Sequence, residues 1–288
     1  MTLRIDLRQV QAVLFGAIGL MVLAMAGFVT MRFGFGNGAL FGLGTRLNPL
    51  FEASLHAWMG SALLLLSGLL LLLIAASGQA QWLPQFRLQW LLAGTVFIML
   101  SADETAAFHE MSDTAFTMVS GTALSSGWFR LLFGTCALFV IGALLMSCRA
   151  FLAALPASMR NRCLVATVVF LGGAVGMETL GGFWSTAGHG EDAGYYVLAV
   201  FEEGMELLGA GLLLSALLRF VADEGVVAFA IESRSVEPAL ALVSSQPGSG
   251  WVPRGAVRRD AGAVATVARA GVTAGESHED DAHRKDAA

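Results

Sequence analysis

Acidic and histidine residues are concentrated in a stretch that directly follows a strongly apolar run. The segment SADETAAFHE, residues 101–110, comes after LAGTVFIML and carries Asp103, Glu104, His109 and Glu110. Carboxylates and imidazoles transfer protons in enzymes and bind metal ions such as Zn, Fe and Mn. These residues can do such chemistry if the surrounding helices bring them together away from water.

Three other apolar segments carry residues of the same types. Glu52 and His56 are four residues apart, which places them on one face of a helix. The remaining candidates lie late in the chain, and they are Glu178 and the EExxE element formed by Glu202, Glu203 and Glu206. Four separate segments therefore contribute to one candidate site.

The composition identifies the elements that must position these residues. The chain has 288 residues, of which 56% are hydrophobic and only 14% charged, with a mean hydropathy of +0.69. A transmembrane helix needs about 20 apolar residues, and runs of that length occur at about 10–31, 55–77, 89–110, 129–148, 163–184 and 196–219. The sequence predicts an all-α, polytopic membrane bundle of about six helices over residues 1–222.

The charge distribution predicts the orientation of this bundle. Arginine is more frequent in the segments before span one, after spans two and four, and after span six than on the other side. The positive-inside rule then places both termini in the cytoplasm, in a bacterial inner membrane. Residues 223–288 contain too few large apolar side chains to offset the entropy of ordering the segment, so we expect a mostly disordered cytoplasmic tail.

The predicted spans bring the acids to one depth. Spans three and five run outward and span six runs inward, so a rise of about 1.5 Å per residue places Asp103, Glu178 and Glu203 in the extracytoplasmic half. Small residues follow the acids at i+3 and i+4, as in the pair Gly181 and Gly182. Such residues let helices approach closely, so we expect the acids to face the interior of the bundle.

Clustered acids at this depth need neutralisation. A single charged acid in mid-span costs about 2.5–3.5 kcal/mol, and we place no Lys or Arg at the same level. Protons, a divalent metal, or water can compensate the charge. The sequence leaves open a metal site, a proton-sharing carboxylate network and a purely structural polar cluster.

A resemblance rests on two of these elements. DExxxxHE in span three, here Asp103, Glu104, His109 and Glu110, together with EExxE in span six, resembles a group of uncharacterised bacterial polytopic membrane proteins. That group implies no activity or substrate. Membrane hydrolases of the alkaline ceramidase and adiponectin-receptor type also hold a metal among their helices, but they use several histidines, and this chain has no HxxxH pair.

Two functions follow as hypotheses. The first is a metal-dependent intramembrane hydrolase or oxidoreductase that acts on a lipid or lipid-like substrate, with Zn, Fe or Mn bound by the candidate acids and His56 or His109. Glu104 and Glu203 are its predicted catalytic residues. The second is a proton- or cation-coupled transporter or channel that uses the same acids. We expect membrane lipid as a partner, no nucleic acid, and either a homo-oligomer or a place in a membrane complex.

Overall fold

The computed structural model describes residues 6–77, 84–108, 111, 118–119, 126–190 and 192–224. Every regular element within these ranges is a helix, and none of the described residues lies in a strand. This confirms the predicted all-α class. The predicted disorder of residues 223–288 falls almost entirely on residues outside the described part, and so do the predictions for His109 and Glu110.

Nine α-helices form the described part of the chain. They are α1 (Leu7–Gly34), α2 (Gly44–Leu47), α3 (Leu55–Ser77), α4 (Arg87–Ala106), α5 (Ser126–Ser147), α6 (Arg149–Ala154), α7 (Ala157–Leu171), α8 (Glu178–Trp184) and α9 (Ala193–Glu224). A π-helical segment, Gly172–Met177, joins α7 to α8, and a second one, Ser185–His189, extends α8. A short 3₁₀-helix precedes α2 at Leu40–Gly42 and another precedes α4 at Pro84–Phe86.

Five helical stretches in the described ranges are long and apolar enough to cross a membrane: Leu7–Gly34, Leu55–Ser77, Gly127–Ser147, Ala157–His189 and Ala193–Asp223. On α5, large apolar side chains such as Phe139 (78% exposed) point away from the protein, as expected for a surface that faces lipid. The sixth predicted span, α4, falls outside this group because its last turns carry polar and acidic residues. It nevertheless packs along the whole of α3.

The helices alternate in direction and pack around α9. Ser61 of α3 bonds to Ser101 of α4, whereas Gly68 lies against Gly94, so these two helices are antiparallel. His56 of α3 contacts Glu203 of α9, whereas Ile74 and Leu217 lie together in a buried cluster further along both helices, so α3 and α9 run in the same direction. Helix α9 also packs against α1 and α7. The beginnings of α3 and α9 and the ends of α4 and α8 therefore meet at one end, which we call the acid end.

The opposite end of the bundle has an apolar core. Trp90 of α4 is almost fully buried, with ring centroids 4.9 Å from Phe151 and 5.7 Å from Phe220. Leucines of α3 and α9 complete this cluster. The described spans therefore carry their candidate acids near one end and an apolar core near the other.

Candidate functional site

The first turn of α3 fixes a buried histidine. Ser54 precedes the helix, and its Oγ accepts a hydrogen bond of 3.2 Å from the backbone N of Ala57, which is the bonding pattern of an N-cap. His56 follows two residues later and is 1% exposed. The cap thus sets the direction in which α3 begins, and with it the position of the imidazole.

Both ring nitrogens of His56 face oxygen atoms. Nδ1 lies 2.7 Å from Oε2 of Glu203, and Nε2 lies 3.2 Å from the backbone O of Asn48. A local turn holds Asn48, because its Oδ1 accepts a hydrogen bond of 3.1 Å from the backbone N of Leu50. The histidine is therefore fixed between a carboxyl group of α9 and the loop before α3.

These two contacts determine how many protons the pair holds. A backbone carbonyl only accepts hydrogen bonds, so Nε2 of His56 carries a proton. The 2.7 Å contact with Glu203 also requires a proton between nitrogen and oxygen, because two lone pairs would repel. The pair is either imidazolium with carboxylate or neutral imidazole with carboxylic acid, and it contains a transferable proton in both forms.

Glu104 approaches this pair from α4. Its carboxyl lies against the backbone of α3, since a Cβ placed on Gly60 would be 2.8 Å from Oε1 of Glu104. It is within electrostatic range of His56, Glu203 and Glu52. Glycine at position 60 thus leaves the space that the carboxyl of Glu104 occupies.

Hydroxyl groups hold α3 and α4 together beside Glu104. The Oγ atoms of Ser61 and Ser101 are 2.9 Å apart, and Ser101 Oγ donates to the backbone O of Ser61 over 2.8 Å. Thr105 Oγ1 donates to Ser61 Oγ over 2.9 Å. The hydroxyls of these small side chains form hydrogen bonds between α3 and α4, and their small size lets the two backbones stay close.

Helix α9 contributes three of the candidate acids. Glu206 lies within electrostatic range of Glu203, Glu202 and Glu104. Its aliphatic part packs on the π-helical segment, where a Cβ on Gly173 would be 3.0 Å from Cγ of Glu206. π-Helical turns inside α-helices are frequent at functional sites, and this one lies directly beside Glu206.

One arginine lies at the level of the acids, contrary to the prediction. Arg130 Nη1 is 3.8 Å from Oε1 of Glu178 and 3.4 Å from the backbone O of that residue. The reason is that α5 begins at Ser126, so Arg130 lies a full turn into the helix rather than at its outer end, where the predicted span of 129–148 placed it. Glu202 is within electrostatic range of both Arg130 and Glu178. Arg130 therefore supplies a positive charge that partly compensates Glu178 and Glu202.

The end of α4 differs from the expected one. Ala107 adopts a left-handed conformation with φ 51°, and its N donates to the backbone O of Asp103 over 2.7 Å. The helix therefore stops at Ala106, which is exposed. The expectation that small residues after Asp103 pack against another helix is wrong for this acid. It holds for α8, where Gly182 is buried against Arg130. Asp103 lies within electrostatic range of Glu104.

A polar contact orders the segment before α9. Oδ1 of Asp192 accepts hydrogen bonds of 2.9 Å from the backbone N of Tyr195 and from Nε1 of Trp184. These bonds lower the pKa of Asp192 below its usual value, with the bond from the Tyr195 backbone as the largest cause. His189 packs on the Trp184 ring with centroids 4.7 Å apart. Asp192 therefore acts as the N-cap of α9, a role that the sequence analysis missed.

The geometry does not contain a ready metal site in the part of the chain that is described. No three His, Cys, Asp or Glu side chains within those ranges are grouped closely enough to hold an ion. The residues that the fold does bring together are His56 and Glu203 in direct contact, with Glu52, Glu104, Glu202 and Glu206 in their electrostatic surroundings.

Comparison with known proteins identifies a family but no activity. Residues 12–221 match a family described as a domain of unknown function, DUF8692. The matched range extends from α1 to α9 and includes every candidate residue. No curated protein and no solved structure matches the chain.

Proposed function

The chain belongs to the DUF8692 family, and we propose that it is a proton-coupled membrane transporter that binds and releases protons at its acid end. One observation carries the proposal, namely the 2.7 Å contact between His56 Nδ1 and Glu203 Oε2 in a ring whose Nε2 faces the Asn48 carbonyl. This pair holds a proton that can move to a neighbouring acid without disturbing the backbone.

The surrounding charges supply a reason for proton uptake. Glu104 and Glu206 both lie within electrostatic range of Glu203, and charged acids in a membrane span are costly. The arginine at this level is already paired with Glu178. Protons are the simplest compensation for the remaining carboxylates, and a change in proton occupancy changes the repulsion between α4 and α9.

The apolar core at the other end favours a transporter over an open channel. In the described spans, no carboxyl group lies between the acid cluster and the core around Trp90. A proton that leaves toward that side therefore requires a rearrangement of the helices. Alternating access of this kind is how many secondary transporters couple ion binding to movement.

A metal-dependent enzyme is the second candidate, and the contact of His56 with Asn48 favours it. A backbone carbonyl that accepts from one ring nitrogen fixes the tautomer and directs the other nitrogen to a metal in many metal sites. Zn, Fe or Mn would then bind between Nδ1 of His56 and Glu203, with Glu104 as general base on a lipid ester or amide. A third ligand, such as Glu206, would have to move toward the ion.

Proton flux in proteoliposomes tests the first candidate. The purified protein is reconstituted around a pH-sensitive dye, and a pH or solute gradient is imposed. We expect flux with the wild type and none above protein-free liposomes with Glu203→Gln, which keeps the size and hydrogen-bonding capacity of the side chain. Asp223→Asn removes an exposed acid at the other end and should leave the flux unchanged.

Two results would decide against transport. The proposal fails if wild-type liposomes remain tight under every gradient tested, or if Glu203→Gln carries the wild-type flux. Elemental analysis of the purified protein addresses the second candidate. Stoichiometric metal in the wild type that is lost from a Glu203→Gln, Glu206→Gln double variant would support the enzyme instead.

A further inference from the structure

A second polar site lies at the end of the bundle opposite the acid end. A cavity of about 420 Å³ opens between the beginnings of α1 and α7 and the end of α9. Its polar lining consists of Gln11, Asn161, Arg162, Ser215 and Arg219. None of the described residues that line it is acidic, so two arginines give the cavity a positive charge.

Hydrogen bonds between α1 and α9 orient one of these arginines. Gln11 Nε2 donates to Ser215 Oγ over 2.8 Å, and Arg219 Nη2 donates to Gln11 Oε1 over 3.0 Å. A guanidinium has five N–H donors in a fixed planar arrangement, and the bond to Gln11 uses one of them. Arg219 is therefore held in place at the cavity by Gln11, and this bond uses only one of its N–H donors.

The lining becomes apolar further into the bundle. Phe15, Val165 and Leu212 also line the cavity, and each lies one or two helical turns deeper than the polar residue of its own helix. The three helices thus provide a polar, basic rim at the end of the bundle and an apolar floor within it. This is the distribution of polarity along a phospholipid, from its phosphate to its acyl chains.

We infer that this cavity binds an anionic membrane phospholipid, with the phosphodiester between Arg162 and Arg219 and an acyl chain against the apolar floor. Arginine is well suited to phosphate because its donors pair with two oxygens at once. Basic cavities between membrane helices are known to take anionic headgroups. The apolar floor identifies a lipid as the ligand, because free phosphate would make no use of it. This inference is independent of the proposed transport of protons.

Native mass spectrometry of the full-length protein in detergent tests the site. The protein is titrated in parallel with phosphatidylglycerol, phosphatidylcholine and inorganic phosphate. We expect phosphatidylglycerol to bind in preference to phosphatidylcholine and to resist competition by phosphate. At about 1 kcal/mol for each arginine, an Arg162→Gln, Arg219→Gln double variant should bind phosphatidylglycerol about 30-fold more weakly.

A variant of equal charge controls for general electrostatics. Arg149→Gln with Arg160→Gln also removes two positive charges from this end, but neither residue lines the cavity, so we expect wild-type binding. An equal loss in this variant would overturn the proposed location. Equal binding of the two lipids, or full displacement by inorganic phosphate, would overturn the identification of the ligand as an anionic phospholipid. If the double variant does not fold, each single variant should still bind about 5-fold more weakly than wild type, and unchanged binding by both would refute the site.

Discussion

The replacement of Gly209 by alanine tests how closely α9 packs on α7. A Cβ at position 209 would lie 2.6 Å from both Cβ and N of Phe170, and 2.7 Å from its Cα. Carbon atoms in ordinary contact are about 3.5–4.0 Å apart, so the two helices would have to separate by about 1 Å. Two of the three opposing atoms belong to the backbone, and rotation of the Phe170 side chain therefore does not relieve the overlap.

The free energy of unfolding should fall as a result. Overpacking of this kind costs about 1–3 kcal/mol, whereas alanine gains up to about 1 kcal/mol over glycine from helix propensity. With the full gain subtracted, the expected net loss is up to about 2 kcal/mol. In Gly142→Ala the new Cβ meets nothing within 4 Å, so this variant has no packing cost and keeps only the gain in helix propensity. The two variants should therefore differ by the cost of overpacking alone, about 1–3 kcal/mol, with Gly209→Ala the less stable.

Unfolding in mixed micelles, followed by tryptophan fluorescence as the denaturing detergent increases, measures both variants. If Gly209→Ala is as stable as Gly142→Ala, the helices are not in contact at this position. The placement of Glu206 would then be wrong as well, because it lies one turn before Gly209 on the same face of α9. The Gly142→Ala variant also shows whether alanine is favoured over glycine in this membrane bundle at all.

Three smaller changes have expected results of their own. Ser101→Ala removes the hydroxyl that donates to Ser61 and should lower the free energy of unfolding by about 0.6 kcal/mol in the same assay. Arg130→Gln breaks a partly exposed ion pair with Glu178 and should change stability by less than about 1 kcal/mol, as thermal denaturation will show. Because the pKa of Asp192 is lowered, its cap is complete at neutral pH and is lost as the pH falls through that lowered pKa. Hydrogen exchange in the first turn of α9, corrected for the intrinsic rate, should therefore rise at acid pH in the wild type but not in Asp192→Asn.

The helices and the common depth of the acids follow from the sequence, because hydropathy and helical rise are properties of residue types. Long apolar runs must form helices in a membrane, and counting from their ends brings Glu178 and Glu203 to one level. The same counting fails at helix ends, where one turn decides a residue's environment. Arg130 lies inside α5 because that helix begins a few residues earlier than predicted, and α4 stops at Ala106 because Ala107 turns left-handed.

The partners of the histidine could not be predicted in the same way. The oxygen that faces Nε2 belongs to the backbone of Asn48, and a carbonyl group is present at every residue. The choice of Glu203 among the acids of α9 depends on the rotation of that helix against α3. Close contacts of Gly209 with Phe170 of α7 and of Gly211 with Ile18 of α1 position α9, and a hydropathy pattern does not reveal which of the many glycines make such contacts.

The length of the contact between His56 and Glu203 distinguishes the two proposed functions. Zinc lies about 2.0–2.1 Å from a histidine nitrogen and about 2.0–2.2 Å from a carboxylate oxygen, and tetrahedral coordination then separates the two ligand atoms by about 3.4 Å. The observed distance is 2.7 Å, which suits a shared proton and leaves no room for an ion. Metal binding would have to move α9 or the Glu203 side chain by several tenths of an ångström, because the Ser54 cap fixes α3 and the Asn48 carbonyl fixes the His56 ring. A proton needs no such movement, and for that reason the arrangement favours proton transfer over metal chemistry.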